Sequence, residues 1–310
     1  MKLTGPLPLP HPALSDALGC RVDVLDFSGL PTGTHKIFKA ERGLHAIKSH
    51  HYKKAIALSS GNYARALSHV AQEMRQLVVV AVGRKVAHHK PEVENEFVEV
   101  VFIEDLQEAF ASQGDLSSPV LSQAYQALKG ENPFGGPPDI TNLSSIEQIE
   151  EFLGPRSTYD VLGGPYDQVF CPNGSGELLY DLAFNTTLST RFYGVSPLDH
   201  PSITGDDFNL DCFPSFADKL VTPTYPLQWS HLQNALDFSP NQKQVTFLGA
   251  TEEELRLAYQ LAQHAGLTVE PSGAAAVSFL VESFRERHHL AIQGKERVLV
   301  VNTGKGHSEK

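Results

Sequence analysis

The 310-residue chain contains three cysteines, Cys20, Cys171 and Cys212, two methionines and one tryptophan. Cysteines so few and so scattered exclude a disulfide framework and a cysteine-rich zinc site, and a cytoplasmic compartment is the expectation. Basic charge is also short, since 25 Lys and Arg stand against 36 Asp and Glu, a formal net charge of −11. Nucleic-acid binders concentrate cations to neutralise phosphates, so that partner class is excluded, whereas a small anionic substrate is not, because local donors outweigh net charge. No apolar run approaches the roughly 18 residues of a membrane span. The opening Met1–Pro10 lacks the apolar helix and cleavage site of a signal peptide. There is no internal repeat and no low-complexity tract. The fourteen histidines include the adjacent pairs His50/His51, His88/His89 and His288/His289, and none has metal-ligand spacing. Four acids, Asp199, Asp206, Asp207 and Asp211, fall in a loop-rich stretch without regular spacing, so no metal site is expected.

What is present is enough apolar residue, 41%, to bury a large core, and a length that suits two lobes. Strand and helix signals alternate. Val22–Phe27 reads as a short strand and 36–48 as a helix. Ala55–Leu58 reads as a strand feeding a Ser-Gly-Asn turn that opens a helix to about Met74. Leu77–Val82 is an apolar run fit for a buried strand, as is Phe97–Ile103, with Phe192–Val195 a further short one. From Thr251 to about Ala265 the pattern predicts a helix with a Thr251/Glu254 capping box, an apolar face of Leu255, Ala258, Tyr259 and Ala262, and a stop at Gly266. Strands alternating with helices predict βαβ units and a mainly parallel sheet. The strongest breaker cluster, Glu131–Asp139 with Gly135-Gly136-Pro137-Pro138, marks the expected passage between lobes.

Four segments carry chemistry. Pro31-Thr32-Gly33-Thr34-His35-Lys36 presents a lone amine, and lysine is the side chain that forms Schiff bases with carbonyls. Twenty-three positions later, Ser59-Ser60-Gly61-Asn62 is a tight turn whose backbone donors can face an anion. Tyr166–Leu178 runs from a strand through Asn173-Gly174-Ser175-Gly176 into a helix, the architecture of a phosphate cup. Val298–Val301, β-branched apart from Leu299, leads into Asn302-Thr303-Gly304-Lys305-Gly306, a buried strand leaving its sheet at the edge where open α/β sheets bind ligands. Each segment alone is equally an ordinary turn.

Together and in this order they resemble the motifs of fold-type II pyridoxal-phosphate enzymes, the family of tryptophan synthase β subunits, threonine synthases, serine/threonine dehydratases and cysteine synthases. Val269-Glu270-Pro271-Ser272-Gly273-Ala274-Ala275 is similar to that family's Glu-Pro-Ser-Gly-Ala-Ala segment, and the N-terminus to its Thr-Pro-Leu segment. The resemblance implies two α/β lobes, each a mostly parallel sheet flanked by helices, with pyridoxal 5'-phosphate in the cleft between them. It implies a smaller, mobile lobe at 36–145 and a larger cofactor-binding lobe at 1–35 and 146–310. Lys36 becomes the Schiff-base lysine, with Lys39 its rival because Phe38-Lys39 mimics the Phe-Lys pair of many relatives. His35 flanks the phosphate, which Gly174, Ser175, Gly176 and Glu177 would surround. Asn62 would reach the ring oxygen, and Thr303 would meet the pyridine nitrogen. Ser59, Ser60, Gly61, Asn62 and Tyr63 would hold the substrate carboxylate, and Ser60 matches a second acid/base of some relatives.

Two departures qualify this. Glu177 replaces a usual glycine and puts cofactor affinity in question, and Leu58 replaces the glutamate that tryptophan synthase chemistry needs. A hydroxyl at the pyridine nitrogen gives it no strong reason to stay protonated, which suits elimination or replacement better than transamination. The expected activity is therefore a lyase or synthase acting on a small amino acid, of the threonine synthase and dehydratase branch, in a homodimer. The alternatives are a cysteine-synthase-like β-replacement enzyme and a catalytically silent homologue serving as a binding or regulatory protein. Glu177 and the short stretch after Thr303 motivate the last.

Overall fold

The computed structural model describes residues 5–49, 54–59, 61–83, 94–103, 140–142, 166–174, 176–184, 190–199, 215–217, 220 and 245–305. In chain order the elements are β1 (Leu9–Pro10), α1 (Pro12–Leu18), β2 (Arg21–Asp26), α2 (Lys36–Ser49), β3 (Lys54–Leu58), α3 (Asn62–Met74), β4 (Leu77–Gly83), β5 (Val98–Ile103) and β6 (Ile140–Asn142). They continue with β7 (Gln168–Pro172), α4 (Glu177–Phe184), β8 (Arg191–Pro197), β9 (Val245–Ala250), α5 (Glu252–His264) and α6 (Pro271–Ala274). A 3-10 helix (Ala275–Leu280), α7 (Glu282–Arg287) and β10 (Arg297–Asn302) complete them. The chain divides into two compact units, 34–154 and 1–33 with 155–310. The breaker cluster at 131–139 and the acids Asp206, Asp207 and Asp211 lie outside the described residues, while Asp199 is exposed.

In the larger unit the sheet order is β1-β2-β10-β7-β8-β9, with β1 antiparallel to β2 and the other pairs parallel. The last strand in sequence thus sits inside the sheet, between β2 and β7. That position explains its uninterrupted apolar run: Val298, Leu299, Val300 and Val301 are all fully buried, as a strand covered on both faces must be. Phe170 of β7 forms the centre of the core, stacked between Tyr193 at 4.8 Å and Phe279 at 4.3 Å. The Thr251/Glu254 capping box is present at the start of α5, whose buried face includes Leu255, Ala258 and Ala262, and Gly266 follows with a φ of +85°.

At the N-terminal ends of β2 and β10 a buried ionic network ties strands far apart in sequence. Asp23 accepts Nε and Nη2 of Arg297 at 3.0 and 2.6 Å, the Tyr166 hydroxyl at 3.0 Å and Nε of Arg21 at 3.2 Å. Burial pushes the Asp23 carboxyl upward, but the hydrogen bonds from Arg297, Arg21 and Tyr166 prevail and hold it below the ordinary carboxylate range. Tyr166, desolvated and bonded to that carboxylate, is pushed up to about 12.

Among the described residues the smaller unit holds a four-stranded parallel sheet in the order β5-β4-β3-β6. Helices α2 and α3 pack on each other. Helix α3 buries Tyr63, Ala64, Ala66, Leu67, Val70 and Ala71, the three-to-four-residue spacing of an amphipathic helix. Ile37, Phe38, Ala40 and Leu44 are buried hydrophobic positions of α2.

Candidate active site

In the smaller unit, Lys36 is the first residue of α2, half-buried, with its backbone N–H donating to the buried Thr34 hydroxyl at 3.4 Å. That side-chain acceptor relieves one of the orphan donors of the first turn and fixes where the helix begins. His35 precedes it, half-buried, and its carbonyl accepts the Phe38 N–H at 3.1 Å. Lys39 lies one turn further, its ammonium 4.9 Å from the centroid of the Tyr63 ring.

The second motif of this unit leaves β3 at Leu58, at the C-terminal edge of the parallel sheet. Ser59 is buried, and its hydroxyl accepts the N–H of Ala64 at 3.1 Å and that of Gly61 at 3.5 Å. The serine shapes the turn by capping α3 from outside the helix. Gly61 occupies the cap position with φ −148° and ψ −132°. Asn62 and Tyr63 follow, so their N–H groups belong to the first turn, where a helix is most positive. The Asn62 Oδ1 accepts Nη1 of Arg65 at 3.2 Å, which leaves the donating role of the amide to Nδ2. Ser60 lies outside the described residues.

In the larger unit, the parallel strands bring two more motifs to one end of one sheet. β7 ends at Pro172 and passes through Asn173 and Gly174 to Gly176, whose φ of +86° suits glycine, and then into α4. Glu177 is the first residue of that helix, and Ser175 lies outside the described residues. β10 ends at Asn302, after which Thr303 is buried. The backbone around Thr303 is held on both sides. The Gly304 N–H donates to the Asn302 Oδ1 at 3.2 Å, the Glu270 N–H to the Gly304 carbonyl at 3.1 Å, and the Lys305 N–H to the Gly33 carbonyl at 3.1 Å.

Helix α6 approaches this turn as closely as its small residues permit. A β-carbon on Gly273 would stand 2.9 Å from Val269 Cγ2, 3.1 Å from Asn302 Oδ1 and 3.2 Å from the Gly304 carbonyl oxygen. Asn302, which sequence reading passed over, anchors the turn from below. Its Nδ2 donates to Asp26 Oδ1 at 2.8 Å and to the Thr268 carbonyl at 2.9 Å. Its only signal in sequence was a polar residue ending a β-branched run.

The donor set fits pyridoxal phosphate. Within the larger unit, Gly176 has a left-handed conformation before a helix start, a backbone that suits an anion, and Thr303 carries a neutral hydroxyl; within the smaller unit, Lys36 carries an amine at the start of α2. Among the described residues no group of three or more His, Cys, Asp or Glu could hold a metal ion, and no helix is long and apolar enough to cross a membrane.

A family model described as pyridoxal-phosphate dependent enzyme matches residues 1–304. No curated protein matches the chain by sequence. The fold is similar to that of a fungal L-serine ammonia-lyase from Rhizomucor miehei, with a TM-score of 0.70 and 15% identity over 98% of this chain and 94% of that one. It is also similar to serine racemase from Dictyostelium discoideum, with a TM-score of 0.67 and 15% identity over 97% and 92% of the two chains. The processed form of threonine deaminase isoform 2 from Solanum lycopersicum gives a TM-score of 0.66 and 17% identity over 99% and 85%. At these identities the likeness speaks for the fold.

Proposed function

The chain belongs to the pyridoxal-phosphate-dependent enzyme family, in its fold-type II branch, and from that premise we propose that it eliminates or replaces a β or γ substituent of a small amino acid, as a lyase or synthase of the threonine synthase and dehydratase kind. The observation that carries this reading is Thr303, a buried hydroxyl rather than a carboxylate at the end of β10. A hydroxyl shares a hydrogen bond with a pyridine nitrogen without holding a proton on it, which moderates electron withdrawal and favours departure of a side-chain group.

When bound, pyridoxal phosphate supplies the electron sink for charge left at the substrate α-carbon. The chain's own residues divide the remaining work. Lys36 would hold the cofactor through its amine, and the same amine would be the base that takes the proton from the substrate α-carbon. The N–H groups of Gly61, Asn62 and Tyr63 and the hydroxyl of Ser60 bind the substrate carboxylate at the start of α3, in a turn that Ser59 shapes. Asn62, its amide oriented by Arg65, would donate to the ring oxygen of the cofactor. Gly174, Ser175 and Gly176 would receive the phosphate, ahead of Glu177 on the first turn of α4, and by resemblance to the family His35 would serve the same phosphate.

Purified protein loaded with pyridoxal phosphate and offered serine, threonine, O-acetylserine and O-phosphohomoserine tests the reading. Release of a 2-oxo acid, or conversion of O-phosphohomoserine to threonine, is the expected result. A product formed only when sulfide is added would replace it with a cysteine-synthase-like β-replacement. A protein that stays colourless with the cofactor would make it a silent homologue.

A further inference from the structure

Asn173, the residue between the end of β7 and Gly174, is one of the most constrained polar groups of the larger unit. It is 1% exposed, and Ser196 of β8, beside it, is 0% exposed. Three hydrogen bonds join Asn173 to β8. Its backbone N–H donates to the Val195 carbonyl at 2.8 Å, its Nδ2 donates to the Ser196 hydroxyl at 2.9 Å, and that hydroxyl donates to the Asn173 carbonyl at 2.6 Å. One serine oxygen thus accepts from the side chain and donates to the backbone of the same residue. Gly194, two residues earlier on β8 and so on the same face, keeps the space clear. A β-carbon there would stand 2.6 Å from Leu179 Cδ2 of α4 and 3.1 Å from the Asn173 Cβ. The face of β8 therefore seats both ends of the glycine loop, Asn173 before it and α4 after it.

We propose that Ser196 is a positioning residue for the cofactor phosphate, acting through a hydroxyl-to-Asn173 clamp that fixes the backbone from which the glycine loop departs at Gly174. The inference rests on the reading of that loop as the phosphate cup. A glycine-rich loop loses much conformational freedom when it orders around an anion. Pinning its first residue on both the amide and the carbonyl side removes part of that cost before the ligand arrives, which is the general route by which preorganisation raises affinity. Exchange of Ser196 for alanine removes the acceptor of Nδ2 and the donor to the carbonyl in one step, inside a site closed to water.

The test compares pyridoxal 5'-phosphate with pyridoxal, which has the same ring and aldehyde but no phosphate, on apoprotein, reading binding by calorimetry. Ser196→Ala is expected to weaken pyridoxal 5'-phosphate about tenfold while leaving pyridoxal within about twofold, so that the ratio of the two affinities falls. Ser196→Thr keeps the hydroxyl and is expected to keep the ratio. Asn173→Ala, which spares the bond from Ser196 to the backbone carbonyl, is expected to give an intermediate ratio and carries the test if the serine variant does not fold. A general structural role would lower both affinities together, and that result, or an unchanged ratio in both alanine variants, would overturn the clamp while leaving the cofactor reading intact. Failure of the unsubstituted chain to bind either aldehyde would overturn the cofactor reading and the clamp with it.

Discussion

The ammonium of Lys39 lies 4.9 Å from the centroid of the Tyr63 ring, joining the first turn of α2 to the first turn of α3. This contact gives the rival lysine a structural occupation. A cation over an aromatic face is worth about 0.5–1 kcal/mol at a partly exposed site, and it holds together the two helix starts that carry Lys36 and Asn62.

The two lysines should accordingly separate on substitution. Lys36→Ala is expected to abolish the absorbance of bound cofactor and to lower turnover by about a thousandfold or more. Lys39→Met is expected to keep the absorbance and cost about 1 kcal/mol of stability in a denaturant titration. Retention of colour by Lys36→Ala together with its loss in Lys39→Met would move the cofactor to Lys39.

Arg65 holds the Oδ1 of Asn62, so Arg65→Met should loosen the amide without touching the carboxylate turn. The expected outcome is about a three- to tenfold fall in kcat for every substrate, with KM little changed. A rise in KM confined to phosphorylated substrates would instead assign Arg65 to a second anionic group of the substrate.

Gly273→Ala places a methyl against Asn302 Oδ1 and the Gly304 carbonyl, both of which frame Thr303. Backbone cannot yield as a flexible side chain does, so the turn must shift. Thermal unfolding should show a loss of about 1–3 kcal/mol, the range for overpacking. Turnover should fall further than stability alone explains, since Thr303 is displaced.

The Asp23 network contributes to the pH dependence of stability. The Asp23 carboxyl is lowered in the fold, so its contribution is complete above the unfolded value of about 3.9 and drains away as pH falls through the lowered value. Tyr166 is raised to about 12, so its contribution is complete below the unfolded value of about 10 and is lost as pH climbs through 12. Melting temperatures across the pH range should therefore drop at both extremes, and Tyr166→Phe should flatten the alkaline side. Arg297→Met, which removes two hydrogen bonds to the buried Asp23 carboxylate and leaves it Arg21 and Tyr166, should cost about 1.5–3 kcal/mol.

Much of this architecture was legible in the residues. β4 and β10 stood out because strands buried on both faces need continuous apolar runs, and α5 because its capping box is a local reciprocal pair. The lysine loop, the Ser-Gly-Asn turn and the glycine loop could be singled out because each motif is a contiguous run of residues. Three short elements, β1, α1 and β6, gave no such signal. β1 has two residues and β6 three, too few for a period to register. The pairs Asp23 with Arg297 and Asn173 with Ser196 were invisible for a different reason. Their partners are 274 and 23 residues apart, and which residues face each other across parallel strands depends on a register that composition does not carry.

The strand Leu9–Pro10 lies along the outside of β2 and stops there. Proline has no N–H to offer a further neighbour, and a two-residue border presents almost nothing for a foreign strand to copy. Among the described residues this border thus offers little for sideways growth, and crowded or partly unfolded copies would find a poor template for fibrous stacking along it.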